Sequence, residues 1–263
     1  METFYLTRKE MSQLLKSLQG SVHKTPLANL QEFWVKTHQK EIQFGKSLDA
    51  FISTSLPPIF EKMMKMGNKD AGFSLNDIVA LGSQIEYTQF AITSVQNWVK
   101  RDFKDLIGCP QLGKKYSLEQ AAILFIIEDL KSSLDFDSIR KLLLLLFHEY
   151  DNETNDIISP IELYAAYSSI FEDLDLSKAH VMDNEQPSLG HSEANQDHLM
   201  EVLVTQKAER FMNQSEHLQG LHLEKKQAVT NTIITCLLAV QTSYFQSLAK
   251  RYLNATLFLK NLN

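Results

Sequence analysis

Residues 74–147 read SLNDIVALGSQIEYTQFAITSVQNWVKRDFKDLIGCPQLGKKYSLEQAAILFIIEDLKSSLDFDSIRKLLLLLF, and the spacing of apolar residues in this stretch decides the fold class. Leu75, Ile78, Val79 and Leu81 share one helical face behind Ser74, whose hydroxyl can accept from a backbone N–H of the first turn. Gly82 permits a turn. A second short helix follows, in which Ile92, Val95, Trp98 and Val99 point inward, leaving Thr93, Ser94, Gln96, Asn97, Lys100 and Arg101 on or near the outer face. Gly108, Pro110 and Gly113 then interrupt helix in IGCPQLGKKYS, a pattern that fits a small hairpin or wing. Ser117 with Gln120 forms a capping box, and Leu118, Ala121, Ala122, Phe125 and Leu130 continue on a helix.

The outward residues of this segment have a chemistry of their own. Thr, Ser, Gln and Asn side chains hydrogen-bond to base edges and phosphates, and Lys and Arg neutralise phosphates, so the second helix carries what a recognition helix needs. From Val95 to Ser117 there are five basic residues (Lys100, Arg101, Lys104, Lys114, Lys115) against two acidic ones (Asp102, Asp105), a local +3 in a chain of net charge −6. The acidic total excludes a protein that coats polyanions with its whole surface and leaves a local basic patch as the means of contact. Trp98 lies on the side of Val95 and reads as core, while Tyr116 is placed either to touch a phosphate or to pack.

Working outward, the chain has only 9 glycines and 6 prolines in 263 residues, and apolar residues recur at three- and four-residue spacing almost throughout. The expected class is mainly α. Towards the N-terminus the helices are Thr7 to Leu18, opened by a capping box at Thr7 and Glu10, then Pro26 to Lys40, then Leu56 to Met66. Beyond Leu174, the polar stretch Ser177 to His198 reads as a flexible linker. A short helix near Leu199 to Met212 and a long one near Glu224 to Leu253 follow as a C-terminal hairpin. Four regions result: 1–70 helical, 71–176 with the segment quoted above and the helices after it, 177–198 linker, and 199–263 hairpin, a region for dimerisation or an effector. Val229, Ile233, Leu237, Val240, Tyr244, Leu248 and Tyr252 form a stripe on the long helix that must meet a partner, within the chain or on another chain.

Several classes drop out. Two cysteines, Cys109 and Cys236, are too few for a secreted disulfide scaffold, and METFYLTRKEM has no signal-peptide core, so a cytoplasmic protein is expected. The apolar runs Leu142 to Phe147 and Ile233 to Val240 are too short to span a membrane. No phosphate loop, nucleophile elbow, Cys-x-x-Cys or helical histidine pair occurs, so neither an enzyme nor a cofactor is expected. DNETNDIISPIE at Asp151 to Glu162 puts Asp151, Glu153, Asn155, Ser159 and Glu162 at calcium-ligand spacing, yet Asp156 stands where such loops need glycine and no second loop pairs with it. The competing reading is an acidic turn, then Ser159 capping a helix with Pro160 first and Glu162 third.

The order of elements in the quoted segment resembles the MerR-like winged helix-turn-helix. The wing of that family ends in Gly, a basic residue, Tyr and Ser or Thr, matched by Gly113, Lys114, Lys115, Tyr116 and Ser117; its closing motif is matched by Phe136, Ile139, Arg140, Leu142 and Leu143. The match departs at Asn97, Trp98 and Val99, where an Arg-Tyr-Tyr triplet is usual, and in the longer link Ser83 to Ala91. More narrowly, LPPIFEKMMK at Leu56 to Lys65 joined to this segment is similar to the YkrK-like regulators of Gram-positive bacteria. The resemblance implies a bacterial transcriptional regulator that binds double-stranded DNA through Thr93, Ser94, Gln96, Asn97, Lys100, Arg101, Lys104, Lys114, Lys115 and Tyr116. It also implies a homodimer, with Ile233, Leu237, Val240 and Tyr244 of the long helix contributing to the interface. The alternative class is an all-helical protein-interaction or calcium-responsive module that binds no DNA.

Overall fold

Capping and amphipathic spacing act as expected in the first helices. The computed structural model describes residues 5–39, 56–66, 71–147, 156–184 and 194–260. The chain is mainly α-helical, and among the described residues strand-type pairing is confined to isolated bridges. It divides into two compact units, Met1–Phe125 and Ile126–Asn263.

In the first unit, α1 (Arg8–Gln19) opens with the complete Thr7–Glu10 capping box and closes on Gly20, whose left-handed backbone (φ 77°) only glycine adopts without cost. Met11, Leu14, Leu15 and Leu18 line its buried face. α2 (Pro26–Thr37) starts behind the Thr25 cap with proline at its first position and buries Leu30, Phe33 and Trp34. α3 (Pro58–Lys65) adds Ile59, Phe60 and Met63 to the core. α4 (Leu75–Gly82) carries the Ser74 cap, reciprocated by Asp77. Leu6, just ahead of α1, pairs with the chain after α4: its N–H donates to the Gln84 carbonyl at 2.7 Å, and its carbonyl accepts from the Glu86 N–H at 3.1 Å. α5 (Ile92–Asn97) continues as a π-helical turn, Trp98–Asp102, and the short α6 (Lys104–Ile107) follows. α7 (Leu118–Leu130) is buried at every residue from Leu124 to Leu130, as befits a helix apolar nearly all round, and the division between units falls within it.

The second unit holds α8 (Phe136–Leu144), α9 (Pro160–Asn184), α10 (Ala194–Gln214), α11 (Glu216–Gln219) and α12 (Leu223–Lys260), with α9, α10 and α12 packed on one another. Its core joins Tyr164, Tyr167 and Ile170 to Val204, Ala208 and Met212, and to Val229, Ile233, Cys236, Leu237 and Val240. The buried Tyr167 hydroxyl donates to Asp129 Oδ2 at 2.7 Å. Burial, with Asp129 beside them, pushes the Tyr167 hydroxyl and the Cys236 thiol well above their usual ranges, so both stay protonated.

Three expectations change. The polar stretch Ser177 to His198 is not a linker from end to end: α9 runs to Asn184 and α10 begins at Ala194. The helix-breaking Pro187 and Gly190 lie in 185–193, outside the described residues, and the residues before them carry no breaker that would stop α9. Gly82 belongs to the last turn of α4 rather than to the turn after it; a Cβ there would stand 2.4 Å from the Phe90 ring, so glycine makes room for Phe90. Third, Ile233, Leu237 and Val240 are inside the chain's own core, with Tyr244 half-buried beyond them, so a dimer has no access to the first three. By length and composition α12 also passes for a membrane span, but half of its most apolar window is buried within the protein.

Candidate nucleic-acid interface

The outward residues of α5 and the basic hairpin after it belong to one unit, so their local setting is shared. Val95, Trp98 and Val99 are buried, and Ile92 is half-buried. That orientation leaves Thr93, Gln96, Asn97, Lys100, Arg101 and Lys104 exposed and Ser94 half-buried. The π-helical turn matters here. The Phe103 N–H donates to the Trp98 carbonyl at 2.9 Å, five residues back, and the wider turn lets the adjacent Trp98 and Val99 both face inward. Trp98 meets Phe103 edge-on, with ring centroids 6.4 Å apart. Arg101 Nε donates to Asp102 Oδ1 at 2.7 Å; this hydrogen bond, with the charge attraction, holds the guanidinium pKa above its ordinary value.

The link ahead of α5 is anchored rather than loose. Thr88 Oγ1 donates to the carbonyls of Gly82 (2.6 Å) and Ile85 (2.9 Å). Phe90 meets Phe125 of α7 edge-on at 5.6 Å.

The hairpin is the smallest possible. Leu112 and Lys115 exchange both backbone hydrogen bonds, 3.0 and 3.1 Å, around Gly113 and Lys114. Gly113 has φ 67°, the conformation a two-residue hairpin loop requires at its first position and glycine supplies at least cost. Tyr116 then pairs with Phe73, the two exchanging N–H···O bonds of 2.8 and 2.9 Å. Gly72 lets the two segments close up: a Cβ there would lie 2.8 Å from Leu112 Cδ1. Lys114 and Lys115 are exposed, whereas Tyr116 is buried, with 8 % of its surface exposed. Burial, with the Cys109 thiol near it, raises the Tyr116 pKa. Tyr116 therefore packs rather than standing ready for a phosphate.

Sequence reasoning found Gln120 only as a capping partner. Its Oε1 does accept from Ser117 N–H at 2.9 Å, but its Nε2 also donates to the carbonyls of Ile107 and Cys109, each at 2.7 Å. One buried amide thus ties the end of α6 and the approach to the hairpin onto the start of α7. A buried glutamine in a capping box is the only hint of this in the sequence, because partners 11 and 13 residues back cannot be read from local pattern. At the base of α4, burial would raise the Asp77 carboxyl, but hydrogen bonds from Lys62 and Ser74 outweigh it and leave the pKa lowered.

Of the calcium-spaced residues, Asp151, Glu153 and Asn155 lie outside the described residues. Ser159 Oγ accepts from Glu162 N–H at 3.2 Å as the cap of α9, and Glu162 Oε2 lies 3.0 Å from His217 Nε2.

The segment just described coincides with a known family. The family described as "Domain of unknown function (DUF1836)" matches residues 73–167, opening at the Phe73 bridge. Over 238 residues the chain is 36 % identical to "Uncharacterized protein YkrK" of Bacillus subtilis (strain 168), an alignment that covers 90 % of this chain and 93 % of that protein. This chain belongs to the YkrK family. The similarity extends through both units, so the C-terminal helices belong to the family as well as the quoted segment. No solved structure matches.

Proposed function

We propose that this YkrK-family protein is a bacterial transcriptional regulator that binds double-stranded DNA through a MerR-like winged helix-turn-helix. α4 and α5 form the helix-turn-helix, Gly108 to Tyr116 the wing. The observation that carries this reading is that Thr93, Gln96 and Asn97 of α5, Lys100 of the π-helical turn and Lys104 at the start of α6 are all exposed while Val95, Trp98 and Val99 are buried, and Lys114 and Lys115 are exposed on a hairpin whose approach is tied to α7 by Gln120. In this arrangement Gln96 and Asn97 read base edges in the major groove, Thr93 and Ser94 position the helix, and Lys100, Lys104, Lys114 and Lys115 neutralise phosphates. Arg101 shares its charge with Asp102 and contributes less.

Selection of genomic fragments by the purified protein tests this. A shared sequence motif is the expected result. Lys114→Glu with Lys115→Glu should weaken binding to all sequences alike and lower the salt slope of log K by about 2, since each lost phosphate contact removes roughly 0.9. Gln96→Ala or Asn97→Ala should instead relax the preference at particular base pairs. Unselective recovery of fragments, or unchanged binding by the lysine variant at moderate salt, would refute the reading.

A further inference from the structure

Beyond its first turn, α12 carries charge of one sign only. No acidic residue occurs between Glu224 and residue 263, whereas Lys225, Lys226, Lys250, Arg251 and Lys260 are basic, in a chain of net charge −6. The same helix carries a second apolar stripe that the chain's own core does not use. At 100° per residue Leu238, Phe245, Leu248, Tyr252, Ala255 and Leu259 fall within roughly 100° of arc, centred about 120° round from the buried Ile233, Cys236 and Val240. Exposure is large along it: 52 % at Leu238, 56 % at Phe245, 69 % at Tyr252 and 63 % at Leu259. From Ala249 to Leu259 every residue of α12 is exposed. In that stretch Lys250 and Asn254 lie opposite the stripe and Arg251 lies at its edge.

We infer that the exposed end of α12, from Phe245 onward, is an amphipathic helix that lies in the surface of an anionic phospholipid bilayer. Its apolar stripe enters the boundary of the acyl chains, and Lys250 and Arg251 stay among the headgroups. Charge and apolar surface select this occupant together. A nucleic acid would meet the cations but leave Phe245, Tyr252 and Leu259 in water. A second copy of the helix would bring more cations and no carboxylate to pair with them. An anionic bilayer takes both: phosphate-bearing headgroups face the cations, whose stems run along the apolar surface, and Tyr252 suits the headgroup level. The helix lies on the bilayer rather than crossing it. Ala249 to Leu259 extends about 16 Å, half of a hydrocarbon core of roughly 30 Å, and the earlier turns are held by the protein's own core. The inference does not depend on DNA binding.

Flotation of the full chain with lipid vesicles tests it. Binding to vesicles of phosphatidylglycerol mixed with phosphatidylcholine is expected, and much weaker binding to phosphatidylcholine alone. Lys250→Gln with Arg251→Gln should weaken binding to the anionic vesicles by roughly 30-fold, the effect of two cations beside such a surface. Phe245→Ser with Tyr252→Ser, both exposed, should abolish it with unchanged helical circular dichroism. Lys225→Gln with Lys226→Gln, more than a Debye length away along the helix, should leave it nearly unchanged. Tyr252→Trp should shift its emission to the blue on anionic vesicles, a result that needs no loss of binding; the parent chain, with Trp34 and Trp98 buried, supplies the background. A chain that stays off anionic vesicles overturns the inference, as does equal binding to neutral ones. So does a Phe245 and Tyr252 variant that still binds, or unshifted emission from Y252W on vesicles that carry the protein. A particle of two chains that floats with neither kind of vesicle would assign the stripe to a second copy instead.

Discussion

At the scale of single residues, the proposed interface depends on Gln120 more than on any charged group. Its amide accepts at the start of α7 and donates to the carbonyls of Ile107 and Cys109, the first of these bonds buried and the others partly so. Gln120→Leu should cost about 2–3 kcal/mol, because it removes a cap and leaves the buried Ile107 carbonyl without its donor. Gln120→Glu keeps the acceptor and loses the two donated bonds whenever the carboxylate is charged, so it should be milder in acid than at neutral pH. Urea unfolding of both variants at two pH values measures this. Gly82→Ala should destabilise by about 1–3 kcal/mol, the usual cost of overpacking, since the added methyl meets the Phe90 ring at 2.4 Å. A stabilised Gly82→Ala protein would show that Phe90 has room to move aside.

At the scale of elements, α4 and α12 make opposite points. α4 is fastened by the Ser74–Asp77 box and by Lys62 Nζ, 2.5 Å from Asp77 Oδ2. Because the Asp77 pKa is lowered on folding, its contribution is present above the unfolded carboxyl value of 3.8 and is lost as pH falls through the lower folded value. Asp77→Asn should therefore be less stable than the parent at neutral pH and close to it in strong acid, as denaturant titrations at the two pH values would show. α12 has two apolar faces in different surroundings, one buried and one exposed. Leu237, 2 % exposed, sits in the core, and Leu237→Ala should cost about 2–5 kcal/mol. Its neighbour Leu238 is 52 % exposed, and Leu238→Ala should change the stability of a single chain by no more than about 0.5 kcal/mol. Thermal melts of the pair at low concentration would separate the faces.

At the scale of the whole molecule, charge distribution makes a prediction of its own. A chain of net −6 repels a polyanion except where a stretch such as Val95 to Ser117, with Lys100, Lys104, Lys114 and Lys115, is locally basic. If those four lysines each displace a counterion, log K for DNA should fall against log salt with a slope of about −4 per copy. Fluorescence anisotropy across a salt series reads that slope, and a value near zero would mean that phosphates are not the contact. The sequence by itself determined the helical class, because spacing and capping are local: the Thr7 and Ser117 boxes, the Ser74 cap and the inward set Val95, Trp98 and Val99 all stand where pattern put them. It also determined which side chains around α5 face water, since a helix with one apolar face has only one way to bury it. Only the tertiary structure decided that Tyr116 packs, that Gly82 serves Phe90, and that Gln120 holds the hairpin, because each depends on atoms brought near by the fold. The same holds for α12. Its sequence contains two overlapping stripes at three- and four-residue spacing, and period alone cannot say which one the core will claim. The packing of α9 and α10 against Ile233, Leu237 and Val240 claimed the first, and left Leu238, Phe245, Tyr252 and Leu259 in water.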